Sequence, residues 1–365
     1  MQVTRAIVAI GAAVLLLAAT PLSAEYTIDH LVDDAGLREG STAMRDVPSW
    51  DPSRVVVVRD IGFELPDFDG FNVVVVSSLE EALTQAGSAG AVIGFCNDEL
   101  LEAAPYASWV QIYWAGVDGC VSSPKFMSGE VVLTNMQKMS SPVIAEHAIA
   151  MMFALLRKLP AYMEDRGSGE WNASEPYTRG MTTAQGKTML VLGLGGIGTE
   201  IARRGSALGM RVIATRNSSR AGPDFVDYVG LSDEILTLAK EADVIVNALP
   251  LTDKTRGLLG EEFFTAAQAR VPYFINVGRG ATVDTDALLA ALRDGRLAGA
   301  GLDVTDPEPL PPAHGLWQAD NVIITPHVSG RGSDPNRRRL LVIENIRRYL
   351  AGDALLNVVD AGRGY

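Results

Sequence analysis

The chain has 365 residues, 47% hydrophobic and 21% charged, with a formal net charge of −13. That length exceeds one comfortable core and predicts two domains, and the acidic balance argues against nucleic acid or an anionic membrane surface as partner. Two cysteines cannot build a disulfide framework, and without a C-x-x-C pair or a histidine-rich cluster no metal site is expected. Two buried free thiols are the favoured reading of Cys96 and Cys120, with pairing as the alternative if the protein is exported.

Residues 1–24 read as a secretory signal. Arg5 is the only charge, Ala6–Ala19 is an unbroken run without charged or strongly polar side chains, and Leu22-Ser23-Ala24 offers a small residue for cleavage before Glu25. The run falls short of the ~20 residues that span a bilayer; a buried N-terminal helix is the alternative. Residues 25–52 are polar, carry Pro48 and Pro52, and read as a loose lead-in linker.

A first α/β unit starts at Arg54. Val55–Val58, Phe71–Val76, Ala91–Phe95 and Trp109–Tyr113 are predicted strands, with helices at Leu79–Ala86 and Asp98–Ala104. Alternating strands and helices predict a parallel, doubly wound sheet. After Val131–Thr134, a long helix is predicted from Ser141 as N-cap and Pro142 as first residue. Its apolar positions Val143, Ile149, Met152, Phe153 and Leu156 suit burial between two domains. Gly167–Arg179 reads as a loop, and Asn172-Ala173-Ser174 matches a glycosylation acceptor.

The second unit opens on Thr188–Gly209. Met189–Leu192 is an apolar run fit for a strand buried on both faces; Gly193, Gly195 and Gly198 follow with G-x-G-x-x-G spacing, and Ile201, Ala202, Ala207 and Leu208 then recur at helical spacing. Strand, glycine turn and helix in that order make a dinucleotide loop: the glycines allow the tight turn, the approach of a pyrophosphate and close packing of helix on strand. Further strands are predicted at Arg211–Ala214, Val244–Leu249, Tyr273–Val277 and Val322–Thr325, and helices at Asp286–Arg293, closed by Gly295, and Asn336–Leu350, ended by Gly352. The expected layout is one doubly wound domain inserted into another, with the helices near 141–158 and 336–350 as the crossings. The predicted division is a substrate domain over 53–152 and 329–365 and a nucleotide domain over 153–328.

At the end of the second strand of such a unit, an acidic residue ordinarily binds the ribose hydroxyls of NAD. Here the segment reads Thr215-Arg216-Asn217-Ser218, with no carboxylate. Positive charge and hydroxyl and amide donors suit a 2′-phosphate, so NADP is the preferred cofactor, with NAD the alternative. Three more segments follow apolar strands and place Arg279, Glu308 and His327 at strand carboxyl ends, where open α/β sheets bind ligands.

Together these motifs resemble the D-isomer-specific 2-hydroxyacid dehydrogenases, of the glyoxylate/hydroxypyruvate reductase-like branch. The resemblance runs from about residue 54 to the C-terminus. It includes Trp114-Ala115-Gly116-Val117-Asp118, Asn247-Ala248-Leu249-Pro250-Leu251-Thr252 with Thr255-Arg256-Gly257, and the ending Asn357-Val358-Val359-Asp360 with Arg363-Gly364-Tyr365. It departs in the missing acidic residue near 215 and in the exported-looking N-terminus. The resemblance implies a Rossmann domain inserted into a flavodoxin-like substrate domain, and a homodimer. It implies that Arg279 binds the substrate carboxylate and polarises the 2-oxo group. His327 would act as general acid and base, and Glu308 would orient it and favour its protonated form. Ala115 and Gly116 would hold the carboxylate through backbone N–H groups, with Trp114 shaping the pocket. The cofactor would lie on Gly193, Gly195, Gly196, Ile197 and Gly198, then Thr215, Arg216, Asn217 and Ser218. Leu249, Pro250, Thr255, Val277, Gly278 and Arg279 would line it, and Asp303 would meet the nicotinamide carboxamide.

The expected function is NAD(P)-dependent interconversion of small 2-oxo acids and D-2-hydroxy acids. A nucleotide-binding sensor on the same fold would not need Arg279, Glu308 and His327 together, and a methyltransferase would leave the His327 segment without a role. Location carries a conflict, since a reduced nicotinamide cofactor is expected inside the cell. Export with cleavage after Ala24 is the favoured reading, and a cytoplasmic enzyme is the alternative.

Overall fold

The computed structural model describes residues 26–117, 119–120, 123–169, 171, 180–360 and 362. The predicted signal at 1–24, the triplet 172–174, most of the 167–179 loop and Arg363–Tyr365 lie outside them.

Before the first sheet come α1 (Ile28–Ala35) and β1 (Glu39–Ala43). Leu31 and Met44 are fully buried and Val47 nearly so. Burial of one such side chain is worth about 1.5–3 kcal/mol. The lead-in is therefore no loose linker. Its polar composition hid a few apolar anchors that dock on the first domain.

That domain's sheet is built from β2 (Val55–Arg59), β3 (Val73–Val76), β4 (Ala89–Ile93), β5 (Trp109–Gln111) and β6 (Val132–Thr134), with α2 (Leu79–Ala86), α3 (Asp98–Ala103) and α4 (Pro124–Met127) between them. The strands are parallel, in the order β3-β2-β4-β5-β6. Numbered from the first strand, this is the 2-1-3-4-5 order of flavodoxin-like sheets. The β2–β4 strands alternate faces: Val56, Val58, Ala91 and Ile93 join one core with Leu31 and Met44, while Val55, Val57 and Val92 join another with Leu100 and Leu101 of α3.

The chain then enters α5 (Ser141–Leu156) and α6 (Leu159–Asp165). Ser140 is the N-cap, one residue before the expected position. Ala145, Ala148, Met151, Met152, Leu155 and Leu156 carry the burial, and Val143, Ile149 and Phe153 are half-buried.

The second sheet contains β7 (Thr188–Leu192), β8 (Arg211–Thr215), β9 (Tyr228–Gly230), β10 (Val244–Asn247), β11 (Tyr273–Asn276), β12 (Gly299–Leu302) and β13 (Val322–Ile324). Its helices are α7 (Gly196–Ala207), α8 (Ile235–Ala239), α9 (Glu261–Ala267) and α10 (Thr285–Arg293). All seven strands are parallel, in the order β13-β12-β11-β10-β7-β8-β9. From β7 outward this is the 3-2-1-4-5-6 order of a dinucleotide fold with one added edge strand. Sequence periodicity missed β9, β12, α8 and α9: β9 spans only Tyr228–Gly230, β12 reads Gly-Ala-Gly-Leu, and α8 and α9 have few turns over which to show a pattern. β7 is central and buried at every position; Leu190 and Leu192 enter one core, Met189 and Val191 the other.

α11 (Pro335–Ala351) returns to the first sheet, capped by Gly352 in the left-handed region (φ 75°), and β14 (Ala354–Leu356) pairs antiparallel with β1. Both ends of the described chain thus close on the substrate side. Cys96 and Cys120 form a disulfide, with Cα atoms 5.8 Å apart. The expectation of two free thiols is corrected: the loops after β4 and β5 converge in space and bring together cysteines 24 residues apart.

Candidate active site

The glycine loop is determined by close approaches. Gly193 turns at φ 91°, and a Cβ on Gly198 would stand 2.0 Å from the Gly193 carbonyl oxygen. A Cβ on Gly195 would meet nothing within 4 Å. Gly193 and Gly198 fold the turn, and Gly195 between them leaves open space beside the α7 N-terminus, whose free N–H groups attract an anion. That space and those donors fit the pyrophosphate of a dinucleotide. The Gly193 N–H donates to Thr215 Oγ1 at 3.3 Å and the Leu194 N–H to the Thr215 carbonyl at 2.9 Å, so the loop is tied to the end of β8.

Beyond Thr215 the cations differ. Arg220 is engaged by Glu234 at 2.9 Å and by the Tyr228 hydroxyl at 2.9 Å. Tyr228 and the Leu231 N–H, followed by Arg220, hold the Glu234 carboxyl down to about 2. Arg216 donates to the Ala221 carbonyl at 3.0 Å and has no carboxylate within 4.0 Å among the described residues. Asn217 and Ser218 are exposed beside it.

Across the sheet, buried polar residues end successive strands. Asn247 and Asn276 are register partners on β10 and β11. Asn247 Nδ2 donates to Asn276 Oδ1 at 3.0 Å and to Thr282 Oγ1 at 2.8 Å, and its own Oδ1 accepts from the Leu249 N–H at 3.2 Å. Asn276 Oδ1 accepts from the Gly278 N–H at 3.1 Å. The Leu249-Pro250 loop is closed in turn by Thr255, whose hydroxyl donates to the Pro250 carbonyl at 2.7 Å. The Val277 N–H donates to the Asn247 carbonyl at 3.1 Å. Arg279 is flanked by two glycines that admit its neighbours: a Cβ on Gly278 would meet the Leu249 oxygen at 2.8 Å, and one on Gly280 the Thr305 oxygen at 1.8 Å. Arg279 therefore sits between the Leu249 loop and the segment that leads to Glu308.

His327 Nδ1 lies 2.6 Å from Glu308 Oε1, with the two side chains 49% and 42% exposed. This contact leaves Nε2 to face a reactant. His327 occupies the left-handed region (φ 52°), a strained conformation for a non-glycine residue. Asp303 holds it there. Its carbonyl accepts the His327 N–H at 2.8 Å, and its carboxylate accepts the Val328 N–H at 2.9 Å and the Ser329 N–H at 3.0 Å. The Thr325 hydroxyl donates to Asp303 Oδ1 at 2.6 Å and contacts His147 Nε2 of α5 at 3.0 Å. Burial pushes the Asp303 carboxyl up, but the hydrogen bonds from Ser329, Thr325 and Val328 outweigh it and hold the group below the ordinary aspartate range. Its hold on the turn is therefore complete above that range and is lost only as pH falls through the lowered folded value. The buried carboxylate is committed to the turn, a position that its expected contact with a carboxamide did not anticipate.

On the substrate side, Trp114 is half-exposed at 44%. Its carbonyl accepts the Met136 N–H at 3.0 Å, and the Ala115 carbonyl accepts from Asn135 Nδ2 at 2.6 Å. The Ala115 and Gly116 N–H groups donate to no acceptor among the described residues, as an anion-binding turn requires. Asn135, Asp303's tether to the turn, Thr325 and His147 were missed as site residues; the legible signal was a polar residue closing an apolar strand.

A nucleotide loop, an arginine held between two cofactor-side loops and a paired histidine–glutamate define an oxidoreductase of the two-domain α/β class. The description "D-isomer specific 2-hydroxyacid dehydrogenase, NAD binding domain" matches residues 149–329. Among curated relatives, glycerate dehydrogenase of Methylorubrum extorquens is 33% identical over 63% of this chain and 72% of its own, and glyoxylate reductase of Aeropyrum pernix is 31% identical over 77% and 86%. Among solved structures, an NADPH-dependent glyoxylate/hydroxypyruvate reductase from Sinorhizobium meliloti, in complex with NADP and sulfate, superposes with a TM-score of 0.73 at 27% identity, covering 86% of this chain and all of its own. The chain belongs to the D-isomer specific 2-hydroxyacid dehydrogenase family. It is an NAD(P)-dependent enzyme acting between 2-oxo and 2-hydroxy acids.

Proposed function

We propose that this protein reduces small 2-oxo acids, such as hydroxypyruvate to its D-2-hydroxy acid or glyoxylate to achiral glycolate, preferring NADPH. The observation that carries the reading is the 2.6 Å His327–Glu308 contact, made by the loops that follow the two strands next beyond that of Arg279. Arg279 grips the substrate carboxylate with its planar fork and draws on the 2-oxo group, helped by the Ala115 and Gly116 N–H groups. His327 delivers a proton from Nε2 to the oxygen as it becomes an alkoxide, or accepts it in the reverse direction; Glu308 on Nδ1 fixes the ring for that task. The bound nicotinamide cofactor supplies the hydride. Gly193–Gly198, Thr255 and the Leu249-Pro250 loop would hold it.

The preference for NADPH rests on Arg216, which lacks a carboxylate partner among the described residues while Arg220 has one. The solved relative that binds NADP supports the same reading. The test is a panel of 2-oxo acids with both cofactors. We expect kcat/KM for NADPH to exceed that for NADH, and Arg216→Ala to lower the NADPH value while sparing NADH; equal or better use of NADH by the unaltered protein overturns the preference.

Two further proposals stand beside it. A homodimer is supported by the half-buried Ile149 and Phe153 of α5 and by Leu159 and Met163 of α6, 47% and 71% exposed; light scattering that reports a monomer at micromolar concentration refutes it. Export with cleavage after Ala24 is supported by the N-terminal pattern and by the Cys96–Cys120 bond, since disulfides persist in oxidising compartments. N-terminal sequencing after cell fractionation decides it: a cytoplasmic product that begins at Met1 sinks the proposal.

A further inference from the structure

The connection from β6 to α5, Asn135–Ser140, lies at the seam of every part of the site. Asn135 and Met136 hold the Trp114-Ala115 loop, and Ser140 packs against Gly330, three residues past His327. Lys138, between them, lies against the nucleotide loop: a Cβ on Gly196 would come within 2.9 Å of Lys138 Cγ. Lys138 takes a left-handed backbone (φ 72°) to do so. Its Nζ donates to the Gly36 carbonyl in the N-terminal segment. Two residues on, the Arg38 carbonyl accepts the Asn357 N–H at 3.2 Å, and Asn357 Nδ2 donates to the Gln137 carbonyl at 3.0 Å. The segment that read as a linker is thus pinned beside Lys138.

Resting on the reading of this protein as an NADP enzyme, we propose that Lys138 and Arg38 complete its dinucleotide site, adding a cationic lip that faces Arg216 and binds the 2′-phosphate of the cofactor. Arg216 comes from the nucleotide domain, Lys138 from the connection between domains and Arg38 from the N-terminal segment. Among the described residues none of the three has a carboxylate within 4.0 Å. Burial, and then the neighbouring Arg38 and Arg216 guanidinium groups, hold the Lys138 ammonium below the ordinary lysine value. Three unneutralised cations, two guanidinium groups around a half-buried ammonium, repel one another, and a phosphate of nearly two negative charges relieves that repulsion. The pyrophosphate, which NADH also carries, has the α7 N-terminus; the 2′-phosphate is the charge by which NADPH differs, and the β8 end is where it belongs. The Sinorhizobium meliloti reductase covers 86% of this chain while being covered completely itself, so part of this chain is additional to it. By the sequence reading the additional part includes the segment that supplies Arg38.

The test is equilibrium binding, without turnover. The full chain, free of nucleotide, is titrated with NADPH and with NADH while tryptophan fluorescence is followed, for the unaltered protein, Lys138→Met, Arg38→Ala and the double variant. Lys138→Met should weaken NADPH about tenfold and Arg38→Ala roughly threefold, the scale of one charge-assisted contact, while NADH affinity shifts less than about twofold. The NADPH affinity of the double variant should also fall less steeply with added salt. Arg45→Ala, on the same segment but paired with Asp353, should change neither. Arg38 is exposed, so its variant tests the lip without disturbing packing. Unchanged NADPH affinity, or equal losses for both dinucleotides, overturns the inference while leaving the enzyme reading standing. Failure of the unaltered protein to bind either dinucleotide overturns both.

Discussion

At the carboxyl end of the seven-stranded sheet, Asn247, Asn276, Asp303 and Thr325 close or follow adjacent strands; Asn247 and Asn276 hydrogen-bond the loops that they begin, and Asp303 accepts from Thr325 and from the loop after the neighbouring strand. In the five-stranded sheet the comparable polar residues look elsewhere. Thr134 accepts from the Trp109 indole N–H of the neighbouring strand at 2.8 Å and Gln111 from Asn345 of α11 at 2.8 Å, so they tie the sheet to itself and to its own helix. The substrate loop at Trp114–Gly116 is held from outside, by Asn135 and Met136 of the domain connection. Nearby, the Cys96–Cys120 bond joins the two neighbouring loops. The nucleotide half preorganises its ligands from within its strands. The substrate half borrows its order from crosslinks and from the seam.

The sharpest test of that contrast is His327→Ala. The turn that carries His327 is fixed by Asp303 and not by the imidazole, so kcat should fall by about 10²–10⁴ while the affinity for NADPH stays within about twofold. Near-normal turnover would break the mechanism; lost NADPH binding would break the claim that the turn is held independently of the side chain.

Next in size is the disulfide. Replacing Cys96 and Cys120 with serine should lower stability by about 3 kcal/mol, the scale for closing a loop of this length. Because the bond lies on the substrate half alone, KM for the 2-oxo acid should rise while NADPH affinity is preserved. Chemical denaturation and binding measured together check this, and a parallel loss of both ligands would erase the contrast between the halves.

The smallest effect separates two glycines of one motif. Gly198→Ala should cost about 1–3 kcal/mol through its clash with the Gly193 carbonyl. Gly195→Ala, where a Cβ enters open space, should leave the thermal midpoint unchanged and weaken NADPH and NADH alike by about tenfold. Paired thermal melts and titrations distinguish them. A destabilised Gly195→Ala would mean that this glycine serves the fold and not the ligand.

Much of the candidate site was legible in the sequence because its parts are local. The glycine loop, the Arg279 segment and the Glu308 and His327 segments each follow an apolar strand within a few residues, and strand-then-loop is readable from composition. Asp303 was legible as a site residue but not as the anchor of the His327 turn, since its partners lie more than twenty residues on. Lys138 and Arg38 carried no local signal at all: one sits in a connection and the other in a polar segment that resembled a linker.

By itself the sequence determined two parallel, doubly wound sheets, the order of one inserted into the other, and the chemistry of the strand ends. Strand burial and glycine turns are imposed over a few consecutive residues, where hydrophobic alternation and backbone freedom leave their mark. Only the tertiary structure decided that Cys96 meets Cys120, that residues 28–47 pack as part of the first domain, and that Lys138 lies across Gly196. Those contacts join elements far apart in the chain. Their energy comes from burial and charge brought together by the whole fold, and no short stretch of sequence carries a record of which distant partner it meets.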